Sequence, residues 1–360
     1  MQETMREECA GSEAAFVLPP FYCPIAPAIH PRAAALEAQA LKWVDSMGLC
    51  TGPEERARLI GSHAAEAVCR ISPHADNEHL LLLSVLWHYW GFSIDEQQEG
   101  ALRSVDLIDL AARLMGCLEA PGSGLLGDSP HAHALEDIVR RIALMCSPSQ
   151  ARRFENGLRR WLMGVLWEAA NRERKTVPTL DEFLVQRLST SGGAPVFALT
   201  EIVNGMELDA NVIDSPAVRT VIEAVTLVTS FDNDLYSYAK EHRLDSEAGQ
   251  DAVTVMARHH HCDIPRAVDH VVALRDQAMV FFLRLRHSLL AHAEPALARF
   301  LDDLGHSIRS NIDWSAKAPR YIGASTPQPI RWATTPTEST TPPPASISWW
   351  WTPEKTPLPS

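Results

Sequence analysis

Asn233, Ser237 and Glu241 recur at intervals of four in FDNDLYSYAKE, residues 231–241, directly after the apolar run VIEAVTLVTS. On a helix this spacing stacks the three side chains on one stripe two turns long. An amide oxygen, a hydroxyl and a carboxylate are hard ligands suited to Mg2+, which keeps part of its water shell and often takes phosphate oxygens for its remaining positions. Lys240 lies next to the stripe and offers a cation to a phosphate. A solvated amphipathic face has the same pattern, and the stripe alone does not choose between the two.

Two further stretches carry related chemistry. LLLLSVLWHYWGFSIDEQQEG, residues 80–100, is an aromatic-rich apolar run ending in carboxylates. Asp95 and Glu99 stand one turn apart and share a face, with Phe92 three residues before Asp95. They form either a charged helix end or a divalent-cation site at the mouth of an apolar pocket. In NIDWSAKAPRY, residues 311–321, Arg320 and Tyr321 close the helical region. A guanidinium fork and a phenol hydroxyl are good diphosphate donors, although a plain helix-terminal arginine would look the same.

These residues need elements to hold them, and the pattern supplies helices. HPRAAALEAQALKWVDSMGL, SVDLIDLAARLMGCL, ARRFENGLRRWLMGVLWEAANRER and AVDHVVALRDQAMVFFLRLRHSLL repeat apolar residues at three- and four-residue spacing. Thr179 and Glu182 form a capping box, and Ser215-Pro216 puts proline at a first helical position. Strand-like alternation is almost absent, so the expected class is all-α. Residues 1–16 read as a flexible leader. FVLPPFYCPIAPAIHP reads as an extended strap, because its prolines forbid a helix. The body then runs from 17 to 321. Residues 322–360 hold nine of the 25 prolines and four of the ten tryptophans. That composition predicts a disordered tail.

The composition limits the function. The chain has 360 residues, is 46% hydrophobic and carries a formal net charge of -13; its mean hydropathy is -0.10. Such a charge argues against nonspecific nucleic-acid binding, and any polyanionic substrate must meet local cations or bound metal. Seven dispersed cysteines without a CxxC pair read as reduced thiols in a cytoplasmic protein. The N-terminus lacks an apolar signal region, and no apolar run is long enough to span a membrane. His259, His260, His261 and Cys262 are adjacent, so they read as a hydrated helix end; zinc spacings are missing.

Taken together, the three motifs resemble those of class I terpene synthases, the bacterial type in particular. NDLYSYAKE matches the family's NDxxSxxKE signature, DEQQE its aspartate-rich motif except at Glu96, where Asp is usual, and DWSAKAPRY its C-terminal tryptophan and Arg-Tyr pair. The resemblance spans roughly residues 17–321. It implies a single α-domain of antiparallel helices around a central apolar cavity, with metal motifs facing each other at the mouth. It implies Asp95, Glu99, Asn233, Ser237 and Glu241 as ligands of three Mg2+ ions, with Lys240, Arg320 and Tyr321 as diphosphate contacts. EFLVQRLSTSGG, residues 182–193, resembles the segment holding the family's diphosphate-sensing arginine, which makes Arg187 a fourth contact; Leu188 stands where many relatives have a second arginine. Phe92 and Trp314 are the expected carbocation-stabilising faces, with Trp87 and Trp90 behind them.

The activity implied is ionisation and cyclisation of a linear prenyl diphosphate, farnesyl diphosphate first, by an enzyme whose relatives often form homodimers. A cyclase of geranylgeranyl diphosphate, or of a C10 or methylated C10 diphosphate, is the alternative enzyme. A helical binding protein whose metal site has decayed, marked by Glu96 and Leu188, is the alternative of another class.

Overall fold

The structure is a computed structural model that describes residues 16–98, 103–127, 129–244, 249–322, 329–339 and 341–351; the side chains of 95–98, 239–244 and 322 lie outside the description. Fifteen helices are described. They are α1 Ala33–Met47, α2 Pro53–Ile60, α3 Ala64–Ile71, α4 Glu78–Gln98, α5 Ser104–Glu119, α6 Pro130–Met145, α7 Pro148–Glu173 and α8 Leu180–Thr190. After them come α9 Gly193–Val203, α10 Ala210–Ile213, α11 Pro216–Leu244, α12 Ala252–His260, α13 Ile264–Leu290, α14 Pro295–Ser315 and α15 Pro319–Ile322. Two short strands, β1 Phe21–Tyr22 and β2 Trp332–Ala333, pair in parallel. The all-α class read from the sequence is therefore what the chain adopts.

Local chemistry sets the helix ends near the site. Thr179 and Glu182 close a reciprocal capping box at the start of α8, which satisfies backbone donors that a helix leaves unpaired. Between α8 and α9 the chain turns at Gly192, where φ is 73°, a left-handed conformation that costs glycine nothing. Gly193 follows where a Cβ would come within 2.8 Å of Thr226 Oγ1. The break thus lets α8 end while α9 packs closely on α11. The helix α11 begins at Pro216 as the sequence predicts.

Two large apolar clusters form the core. One gathers α8 and α11–α14 with the terminal segments; the other gathers α1, α3, α4, α6, α7 and α9. Helix α4 has buried residues around its circumference, from Leu80 and Leu81 to Tyr89 and Trp90, and so runs inside the bundle. A third, small cluster of Ala67, Trp314 and Ala318, with Phe92 and Tyr321 against it, lies at the ends of α4, α14 and α15.

The terminal segments depart from expectation. Phe16, assigned to the leader by composition, lies 4.8 Å from Tyr238 ring to ring. The predicted disordered tail is corrected over residues 329–339 and 341–351, which fold back onto the body. Ile347 and Trp350 are 0% exposed, Trp350 stacks on Phe281 of α13, and its indole Nε1 donates to Glu223 Oε2 of α11 at 3.0 Å. A buried tryptophan with its N–H satisfied is a large apolar anchor, enough to order a segment with no periodicity of its own.

Candidate active site

Helix α11 carries the polar stripe on a largely buried body. Asn233 stands at its centre. Its Nδ2 donates to the Tyr321 hydroxyl of α15 at 2.7 Å, and its Oδ1 accepts from Arg187 Nη2 of α8 at 3.4 Å. Arg187 Nη2 also donates to Asp234 Oδ1. The other oxygen of Asp234 accepts the backbone N–H of Ala252 at 3.0 Å, which ties the start of α12 to the same spot. Three residues chosen from separate motifs, Arg187, Asn233 and Tyr321, are thus in contact. Asp234 was not singled out from sequence; its place in the NDxxS signature was the available signal.

One turn further on, Ser237 is 4% exposed, and its Oγ is buried without a hydrogen-bond partner among the described residues. A buried hydroxyl in that state costs free energy unless something comes to it. Tyr236 and Tyr238 flank it, and burial pushes the Tyr238 hydroxyl up to about 12. Both phenols therefore stay neutral at ordinary pH, since burial raises Tyr236 as well.

The aromatic floor lies beside this polar group. Phe92 stacks on Trp314 at 5.8 Å with planes 19° apart, and Tyr321 meets Trp314 edge-on at 5.3 Å. Trp314 Nε1 donates to the Ser62 carbonyl at 2.7 Å, which fixes the indole and leaves its faces for other contacts. The Arg320 guanidinium sits over the Phe92 ring at 5.2 Å, within cation–π range. His88, one turn before Phe92, is held by the Ser84 carbonyl, and burial drops its pKa to about 4. This neutral imidazole is another neighbour that sequence reading missed.

Trp87 and Trp90 belong to the α4 core instead. Trp90 donates to the His131 carbonyl and meets Trp161 at 6.4 Å. Leu188 is also buried in the core, while its neighbour Arg187 reaches Asn233. Glu99 lies outside the described residues, as do the side chains of Asp95, Lys240 and Glu241. Only the backbones of those three are placed, Asp95 near the end of α4 and the other two near the end of α11.

Known proteins resemble this chain along most of its length. The family profile described as terpene synthase family 2, C-terminal metal binding, matches residues 86–280. Spiroviolene synthase of Streptomyces violens is 32% identical over 331 residues, covering 89% of this chain and 92% of that enzyme. The 4-epi-cubebol synthase of Streptosporangium roseum, named as cyclising (2E,6E)-farnesyl diphosphate, is 29% identical over 308 residues, covering 85% of this chain and 93% of the enzyme. Among solved structures, the SVS_A2 protein from ancestral sequence reconstruction superposes with a TM-score of 0.83 at 36% identity, covering 93% of this chain and 99% of its own.

The chain belongs to the terpene synthase family. It is a terpene synthase, a carbon–oxygen lyase acting on phosphates, in a family whose profile is named for metal binding. No described helix is long and apolar enough to cross a membrane.

The residues present fit a divalent metal. Asn233 Oδ1 is engaged by a long 3.4 Å contact, the Ser237 hydroxyl is buried and unsatisfied, and both are hard oxygens one turn apart on one helix face.

Proposed function

We propose that the protein ionises and cyclises farnesyl diphosphate to a cyclic terpene, releasing diphosphate, with Mg2+ as the metal. Asn233, Ser237 and Glu241 would hold one ion, and Asp95 and Glu99 would hold two more. Arg187, Lys240, Arg320 and Tyr321 would bind the diphosphate. The observation that carries this reading is the convergence of Arg187 and Tyr321 on the Asn233 amide, beside the unsatisfied Ser237 hydroxyl.

Bound Mg2+ supplies positive charge that stabilises the departing diphosphate. The protein's own groups do the rest. Arg187 and Arg320 add charge-assisted donors, and the Tyr321 hydroxyl adds a neutral one. The allylic C–O bond breaks with both electrons leaving on the diphosphate oxygen, a distal double bond attacks the carbocation, and the cyclised cation loses a proton to the released diphosphate to give the neutral terpene. Water would quench that cation, so its surroundings must be apolar. The Phe92 and Trp314 rings would stabilise migrating charge through their quadrupoles once the Arg320 guanidinium, which lies over Phe92, turns to the diphosphate.

A C20 substrate, geranylgeranyl diphosphate, is the second reading, and one feature favours it. A Cβ built on Gly91 meets no atom within 4 Å, so there is space beside α4 on the stripe that leads to Asp95. Family membership speaks against the decayed-scaffold alternative. Purified protein incubated with C10, C15 and C20 diphosphates, with and without Mg2+, and analysed by gas chromatography–mass spectrometry tests the reading. A metal-dependent cyclic product from the C15 diphosphate is expected; no such product from any of the three would refute it.

A further inference from the structure

The two terminal segments meet the body at two arginines, and each arginine is tied to the residue just before a site residue. Arg275 of α13, 1% exposed, forks onto Asp232 through Nε at 2.8 Å and Nη2 at 3.0 Å. Its Nη1 donates to the Tyr22 carbonyl of β1 and to Asp276 Oδ1 at 2.9 Å. Asp276 Oδ2 in turn accepts the backbone N–H of Thr337 at 2.8 Å. Arg309 of α14 donates to Asp313 Oδ2 at 3.0 Å and to the Ile25 carbonyl at 2.9 Å, and its guanidinium lies over the Trp332 ring at 4.2 Å. Asp232 precedes Asn233, and Asp313 precedes Trp314.

The segments also bind each other. Phe21 N–H donates to the Arg331 carbonyl at 2.9 Å, and Arg331 donates to the Leu18 carbonyl. Phe21 stacks on Tyr236 at 5.4 Å with planes 5° apart. The 16–30 segment is therefore trapped between the body and residues 329–339 and 341–351, which Trp350 anchors on α11 and α13.

We propose that residues 329–339 and 341–351 are a positioning clamp for the diphosphate site. By closing the 16–30 segment onto Arg275 and Arg309, they fix the rotation of α11 and α14, and so hold Asn233 and Trp314 in register at the mouth. Neighbouring residues on a helix point about 100° apart, so an Asp232 fixed in the core fixes the direction of Asn233. Groups that orient a ligand in this way commonly alter metal affinity without touching the metal. The inference rests on the reading that Asn233 is a metal ligand.

The test uses the full chain with two substitutions, Trp332→Ala and Thr337→Pro, which remove the ring over Arg309 and the N–H donated to Asp276. Trp350→Ala serves as a second disruption. The control is Leu144→Ala, an 80% exposed residue of α6 outside the segment. Two quantities are read: the Mg2+ concentration for half-maximal turnover, and amide hydrogen exchange over residues 230–238 without metal. The clamp predicts a rise of about 10- to 100-fold in the Mg2+ requirement, rescue of turnover by excess Mg2+, faster exchange at 230–238, and no change in the control. An unchanged Mg2+ requirement with unchanged exchange would overturn it. So would a turnover loss that excess Mg2+ does not recover. If Asn233→Ala in the intact chain leaves the Mg2+ requirement unchanged, the ligand reading fails, whereas exchange at 230–238 reports on the clamp by itself.

Discussion

The Asn233 side chain donates to the Tyr321 hydroxyl at 2.7 Å, joining two helices whose contact residues lie 88 positions apart. The same amide accepts from Arg187 on a third helix. On the proposed reading, a diphosphate entering this corner would find a guanidinium, a phenol and an amide already assembled around one side chain. Preorganisation of that kind lowers the cost of binding developing charge, because little must move when the bond breaks.

Arg187 is fixed by Asn233, Asp234 and Thr190, a geometry that suits a planar fork and not an ammonium. Arg187→Lys keeps the charge but loses the span. Turnover is expected to fall about 100-fold, the scale for losing one stabilising donor. Steady-state kinetics with the preferred diphosphate checks this, and turnover within twofold of the parent would contradict it.

Gly91 offers a handle on chain length. Gly91→Phe fills the space that a Cβ enters without contact. If that space accommodates the distal isoprene of a C20 chain, the ratio of C20 to C15 turnover drops by about tenfold or more, as differences of a few methylenes allow. Competition between the two diphosphates measures the ratio, and an unchanged ratio would remove Gly91 from the substrate cavity.

Stability should depend on pH through Asp303, buried where α14 packs on the ends of α3 and α9. Burial pushes its carboxyl up to about 7, against the opposing pull of Ser72, Asn204 and Arg299, and Asp302 adds repulsion. The folded state keeps this proton to a higher pH than the unfolded chain, which releases it near pH 4. The contribution is therefore complete below about pH 4 and is lost as pH rises to about 7, on the order of 1.4 kcal/mol per unit crossed. Asp303→Asn should raise the melting temperature at pH 8 relative to the parent and flatten its pH dependence. Parallel melting curves for the two proteins between pH 5 and pH 8 would refute this.

Much of this was legible in the sequence because it is local. The capping box at Thr179, the break at Gly192 and the Asn233–Ser237 spacing each depend on residues within a turn or two. The pairing of Arg187 with Asn233 was reachable only through the family resemblance, since nothing in linear spacing links α8 to α11. The folded C-terminal segment was not legible. Its prolines and threonines have no period, and Trp350 is buried by surfaces of α11 and α13 that exist only after those helices pack. Likewise, Arg275 and Asp232 sit in ordinary amphipathic helices, and their pairing across 43 residues leaves no mark in either segment.

The central claim is that Asn233 and Ser237 hold a divalent metal that the reaction needs. A Mg2+ titration of product formation by the parent, Asn233→Ala and Ser237→Ala, with circular dichroism to verify folding, addresses it most directly. The account predicts folded variants whose Mg2+ requirement rises, or whose turnover falls, by about 100-fold or more. Folded variants that retain the parent's Mg2+ curve and turnover would contradict it.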